Sequence, residues 1–301
     1  MVVDTETHVL LFARNARLNP RLSSRLKHYT WHEHDAELLV EHLDAAGVDK
    51  TFLISYDAED TRWSSEQRGY SLEDFAGGRK YTLLGVRQFP ERFWWFNTLK
   101  NPAVHPTVEL VERDLEDGAS GFKLFPAFLQ ATLDDDAWKA VFAKIADRGS
   151  RLLISFEVVR PPLTHALEDF LAQLSRVLDE LPGLRVALLH AGCADPLTER
   201  GRLVADVCAR HPNVYLSCSM PGEVWDDGVE YPYRNLLARV ERLRATIGPE
   251  RIMWATDWPW FDDRFLYQQG IDCFRKHASF FEEGELDLFL GDNAARFMAR
   301  D

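Results

Sequence analysis

Val3-Asp4-Thr5-Glu6-Thr7-His8 closes the first apolar run of the chain, and the fold turns on how it is read. Val2, Asp4, Glu6 and His8 share the period-two parity of a strand, which predicts that they project to one face. A carboxylate and an imidazole two residues apart on that face suit a grip on one metal ion or one substrate proton. Two distant segments repeat the pattern. Leu188-Leu189-His190-Ala191-Gly192 and Trp254-Ala255-Thr256-Asp257-Trp258-Pro259 each finish an apolar run with a residue able to do acid–base chemistry. Three strand ends finishing in Glu, His or Asp imply one shared mouth.

Between these segments, short β-rich runs alternate with amphipathic helical patterns. Lys50-to-Tyr56 reads as a strand after a helix of about Asp35 to Ala46 that Gly47 stops. Tyr81-to-Val86 and Arg92-to-Thr98 are both apolar, and one of them supplies a strand. Further strands are expected at Gly121–Pro126, Arg151–Val158, Arg185–His190, Val214–Ser219 and Arg251–Asp257. Helical stripes lie between them, such as Leu167, Phe170, Leu171, Leu174, Val177 and Leu178. Eight strands with helices between them predict parallel pairing, and no GxGxxG or GxxxxGK turn marks a nucleotide-binding open sheet. The expected fold is therefore an α/β TIM (β/α)8 barrel, one domain spanning 1–301. In such a barrel the active site sits at the C-terminal strand ends, and the first and eighth strands become neighbours. Glu6, His8, His190 and Asp257 are then expected to converge.

Composition narrows the partners. Of 301 residues, 46% are hydrophobic and 28% charged, ample for a large core. The net charge of −13 argues against nucleic acid or an anionic membrane, while still allowing an anionic substrate in a locally basic pocket. No signal peptide and no membrane-length apolar run are evident, so a cytoplasmic location is expected. Cys193, Cys208, Cys218 and Cys273 show no CxxC spacing and read as reduced, small apolar residues.

The ordered set VDTETH (3–8), EHLDAAGVDKTFLIS (41–55), QFPERFWWF (88–96), DGASGFKLFP (117–126), RVALLHAG (185–192), RIMWATDWP (251–259) and LGDNAARFM (290–298) resembles the amidohydrolase superfamily. The branch is that of the aminocarboxymuconate-semialdehyde decarboxylase-like, resorcylate decarboxylase-like and dicarboxylate lactone hydrolase-like enzymes. The resemblance implies a metal-binding Glu-x-His at Glu6 and His8. It implies an Asp257 that binds metal and moves protons, and a His190 that polarises or protonates substrate. Where the family has a metal-binding histidine on the fifth strand, this chain has Ser155, with Glu157 two residues on. Two alternatives follow. Glu6, His8, Glu157 and Asp257 hold one divalent ion, Mn²⁺ or Zn²⁺, or no metal binds and His8, His190 and Asp257 act as acid–base groups. Self-association into a homo-oligomer is also common in such relatives.

These roles imply a hydrolase that cleaves a C–O or C–N bond of a small cyclic or anionic substrate with activated water, Asp257 being the general base. The alternatives are a non-oxidative decarboxylase of an aromatic or unsaturated acid, and a barrel that binds ligand without catalysis. Each candidate also has a structural reading. Glu6 pairs with Lys123, Asp257 caps a turn, His190 is a satisfied core histidine, and Glu157 bridges to Arg160. Lys123 is either an anchor for a substrate carboxylate or a partner of the acidic cluster. Trp258, Trp260 and Phe261 either stack on a substrate ring or pack in the core. His28, Trp31, His32 and His34 form no complete ligand set and are expected to be structural.

Overall fold

The computed structural model describes residues 1–9, 11–12, 34–55, 75–76, 78–129, 131–156, 166–193, 195–219, 230–259 and 266–299. Eight strands pair in chain order: β1 (Val3–Thr7), β2 (Lys50–Ile54), β3 (Phe93–Thr98), β4 (Gly121–Leu124), β5 (Arg151–Ile154), β6 (Arg185–Leu188), β7 (Val214–Cys218) and β8 (Ile252–Trp254). Every neighbouring pair is parallel. The helices between them are α1 (Ala36–Ala46), α2 (Arg79–Gln88), α3 (Thr107–Glu116), α4 (Asp136–Asp147), α5 (Leu167–Glu180), α6 (Glu199–Arg210) and α7 (Arg234–Ile247), with α8 (Tyr267–His277) after β8. This is the expected TIM barrel. Leu11–Phe12 pairs antiparallel with Phe75–Ala76, apart from the barrel. No helix among the described residues is long and apolar enough to cross a membrane.

Local chemistry sets the helix bounds. Asp35 accepts a hydrogen bond from the Leu38 N–H at 2.8 Å, and Gly47 ends α1 with φ +62°, which a side chain would oppose. Asp135 and Thr198 cap α4 and α6 in the same way. The Tyr81-to-Val86 run falls within α2, so the strand of that region is Phe93–Thr98.

Strand side chains alternate between two apolar layers. Val3, Phe52, Phe96, Leu153, Ala187, Tyr215 and Met253 form the barrel interior together with Phe297 of the C-terminal helix (Asn293–Met298). Leu53, Phe122, Leu152, Val186 and Leu216 pack in the outer cluster with the helices. Phe297 lies 5.3 Å from the Tyr215 ring and 6.1 Å from Phe52, filling the floor. Buried Arg151 donates to the carbonyls of Phe297 and Ala299, which satisfies orphan groups at that helix's end.

β1 does not keep the predicted alternation. Its pairing with β2 slips between Asp4 and Thr7, so an extra residue is accommodated there. Val3 faces the interior, and Thr5 reaches Ser217 of β7 at 2.8 Å. Glu6 also bonds inward, to Lys123 and Ser219. Asp4 turns outward, where the Tyr267 hydroxyl of α8 donates to it at 2.9 Å. The shared parity of Asp4 with Glu6 and His8 is thus corrected: a bulge separates them, and only Glu6 and His8 share the inner face.

The ring closes between β1 and β8 through one parallel bridge, Thr7 to Trp258, in place of a full ladder. The Asp257 N–H donates to the Glu6 carbonyl and the His8 N–H to the Trp258 carbonyl, both at 2.8 Å. Asp4 reinforces this seam. It accepts from the Thr256 N–H (3.0 Å), the Thr256 hydroxyl (2.6 Å), the Glu6 N–H (3.1 Å) and Tyr267. Burial pushes its carboxyl up to about 7, against the opposing hydrogen bonds from Thr256, Glu6 and Tyr267. Burial, then the Asp4 charge and hydrogen bond, push the Tyr267 phenol well above its ordinary value and keep it a donor.

Asp4→Ala strips the acceptor from these buried donors. Unsatisfied groups of this kind cost roughly 1–3 kcal/mol each, so a loss of about 3 kcal/mol or more is expected in urea denaturation. Asp4→Asn, which keeps one acceptor oxygen, should lose under half as much. Equal losses in the two variants would show that the hydrogen bonds of Asp4 do not hold the seam.

Candidate active site

The inner strand ends carry the polar residues. Glu6 is fully buried between two partners: Lys123 Nζ donates to its Oε1 at 2.9 Å, and the Ser219 hydroxyl donates to its Oε2 at 2.7 Å. His190 Nδ1 is 2.6 Å from Ser219 Oγ and 3.6 Å from Glu6 Oε2. Burial alone would raise the Glu6 pKa. Its neighbours His190, Lys123 and His8, with the Lys123 hydrogen bond, overcome it and hold the carboxyl well below the usual range. Glu6 is therefore a buried anion paired with Lys123, which also lies 4.7 Å over the Phe125 ring.

His8 and Asp257 meet on the other flank, with His8 Nε2 3.3 Å from Asp257 Oδ1. His8 Nδ1 is 3.0 Å from the Ile54 carbonyl, which can only accept, so Nδ1 carries the proton. The Nε2 lone pair of a neutral ring then faces a carboxylate oxygen. Two acceptors this close need a cation between them, either the proton of an imidazolium or a metal ion. One atom each from Glu6, His8 and Asp257 lies within 4.8 Å of the others, and all three residues are buried. Two carboxylates and one imidazole suit a hard to borderline divalent ion with open positions for substrate. The residues present fit such a group, although Lys123 and Ser219 already engage both oxygens of Glu6.

Backbone geometry aims these groups. Among the described residues the non-glycine residues with positive φ are His190 (53°), Ala191 (50°), Tyr233 (56°) and Asp257 (58°). Two of the four are the catalytic candidates themselves, and such strain recurs at functional positions. β6 stops at Leu188, and a 3₁₀ turn, Leu189–Cys193, carries His190; Arg239 donates to the His190 carbonyl at 2.9 Å.

The other candidates divide. Ser155 is buried, and its N–H bonds the Leu124 carbonyl. Glu157 lies outside the described residues, as do Arg160, His28, Trp31, His32, Trp260 and Phe261. Trp258, expected either to stack on a substrate ring or to pack in the core, is buried. Its ring is 2% exposed and belongs to the outer apolar layer, edge-on to His34 at 5.3 Å and His42 at 5.6 Å. What Trp258 gives to the mouth is its backbone carbonyl. His34 is part of that packing. Lys123 is buried, and its ammonium meets Glu6. Cys208, Cys218 and Cys273 are buried, and burial pushes the Cys208 and Cys273 thiols up to about 12. Ser219 escapes the sequence reading, although it ends the apolar run of β7 as His190 ends that of β6.

A family model described as Amidohydrolase matches residues 3–299. No curated protein matches the chain. Solved structures with the same fold include a probable 2-pyrone-4,6-dicarboxylic acid hydrolase from Acinetobacter baumannii with citric acid bound. It is 16% identical, with TM-score 0.68, covering 99% of this chain and 98% of that one. An amidohydrolase from Burkholderia multivorans with bound zinc is 16% identical, with TM-score 0.69 and all of both chains covered. 5-Carboxyvanillate decarboxylase from Sphingomonas paucimobilis is 18% identical, with TM-score 0.63, covering 100% of this chain and 99% of that one. At these identities the likeness shows the fold.

Lys123→Met leaves the Glu6 anion undercompensated. The expected loss is about 3–5 kcal/mol, measured by chemical denaturation, and Lys123→Met/Glu6→Gln should recover most of it. Additive losses in the double variant would refute a direct pair.

Proposed function

The chain belongs to the amidohydrolase family, and on that premise we propose that it is a hydrolase of a C–O or C–N bond in a small cyclic or anionic substrate. The observation that carries this reading is the convergence of Asp257, His8 and Glu6, with the Asp257 carboxylate 3.3 Å from the His8 ring at the closing strand end. Asp257 is the one acid of the set whose role leaves it able to accept a proton from water, because Glu6 is committed to Lys123 and Ser219. A divalent ion held by Glu6, His8 and Asp257 would lower the pKa of its water and polarise the substrate carbonyl.

The chain's own residues do the rest. Asp257 takes the proton of the attacking water. His8, pinned by the Ile54 carbonyl, holds Asp257 in place. His190, whose Nδ1 meets Ser219, exchanges a proton with the leaving oxygen or nitrogen through Nε2. The likeness to the probable 2-pyrone-4,6-dicarboxylic acid hydrolase of Acinetobacter baumannii supports a cyclic, anionic substrate class at the level of fold analogy.

A second reading, non-oxidative decarboxylation of an aromatic or unsaturated acid, is favoured by the first-strand pairing of Glu6 with His8 and by the likeness to the carboxyvanillate decarboxylase. Screening lactones, cyclic amides and carboxylated aromatics in H₂¹⁸O separates the two. The hydrolase reading expects one ¹⁸O per product; carbon dioxide release without ¹⁸O would overturn it. Asp257→Asn should lower kcat about 10³-fold without altering the circular dichroism. Elemental analysis should find one divalent ion per chain in the purified protein, lost on chelation and in His8→Ala. Unchanged content in that variant would remove His8 from the ligand set.

A further inference from the structure

His190 is aimed by its neighbours before any substrate arrives. The positive φ of His190 and Ala191 fixes the turn, and Arg239 holds the His190 carbonyl. The ring nitrogen Nδ1 meets Ser219 Oγ at 2.6 Å, and both residues are buried. A serine hydroxyl has a single proton to give. Here that proton goes to Glu6 Oε2 at 2.7 Å, because the Glu6 carboxylate, paired with Lys123 through its other oxygen at 2.9 Å, can only accept. Ser219 is left able only to accept from His190.

We propose that Ser219 is a positioning residue that locks the proton of His190 onto Nδ1 and makes Nε2 the nitrogen that exchanges protons with substrate. The order of donation runs from His190 Nδ1–H to Ser219 Oγ, and from Ser219 Oγ–H to Glu6 Oε2. Glu6 thereby acts on His190 through a hydroxyl, much as a buried carboxylate orients the imidazole of a serine-hydrolase triad directly. Without the hydroxyl, the direct Nδ1-to-Glu6 separation of 3.6 Å is beyond a good hydrogen bond, and the tautomer is no longer fixed. The catalytic use of this tautomer rests on the hydrolase reading; the tautomer itself does not.

Long-range ¹H–¹⁵N spectra of the ¹⁵N-histidine-labelled full chain test it, with His190→Gln used only to assign the His190 ring. The wild type should show a proton-bearing His190 Nδ1. Ser219→Ala should shift Nδ1 towards the lone-pair end of the ¹⁵N range as the proton moves to Nε2. Ser219→Thr, which keeps the hydroxyl, should restore the wild-type pattern and guards against a folding defect. A wild-type ring protonated on Nε2 alone, or a Ser219→Ala spectrum matching the wild type, would overturn the proposal. Failure to find any hydrolysed substrate would sink the hydrolase reading and leave these spectra unaffected.

Discussion

Two backbone hydrogen bonds, Asp257 N–H to the Glu6 carbonyl and His8 N–H to the Trp258 carbonyl, join the first strand of the barrel to the last. The seam they make is short, because β8 is only Ile252–Trp254 and the junction beyond it is a single bridge. Sheet ladders ordinarily share such a load over many bonds. Here side chains supplement it: Thr5 donates to the Trp254 carbonyl at 2.8 Å, and the Asp4 carboxylate gathers Thr256, Glu6 and Tyr267. The same residues that close the ring therefore set the distance between its chemical groups. Closure and active-site geometry are one constraint.

Charge balance follows from that closure. Burying two carboxylates and two imidazoles at the barrel mouth is costly unless each anion has a cation nearby. Lys123 supplies the fixed positive charge, and Glu6 distributes its negative charge between Lys123 on one side and the Ser219–His190 pair on the other. Asp257 remains with His8. The two carboxylates consequently have different surroundings in one site, Glu6 between Lys123 and Ser219 and Asp257 beside His8.

Most of the barrel is legible in the chain because alternating apolar strands and striped helices leave strong periodic signals. The convergence of Glu6, His8, His190 and Asp257 follows from strand order alone once the ring is accepted. Periodicity does not report the rest. Asp4 looks like a site residue by parity, yet the slip in β1 sends it to the helices. Trp258 looks like a mouth aromatic by position, yet its ring faces His34 and His42. Ser219 carries no sequence signal beyond its place at the end of an apolar run, because a serine reveals its role only through the acceptor it meets. Tyr81 and its neighbours are apolar enough for a strand, and the helix wins because their apolar face packs between α1 and β3, with Gly85 pressed close to Ala36.

The irregularity in β1 has an evolutionary corollary. An ordinary strand tolerates point substitution far better than insertion or deletion, since one residue gained or lost reverses every orientation beyond it. In this strand the reversal is already present, and it is what turns Glu6 inward directly after Thr5. Excising one residue at the slip would regularise the strand while changing which acid looks at the barrel axis. Relatives that differ in length by one residue at this point would be expected to differ in chemistry, however similar their remaining sequence.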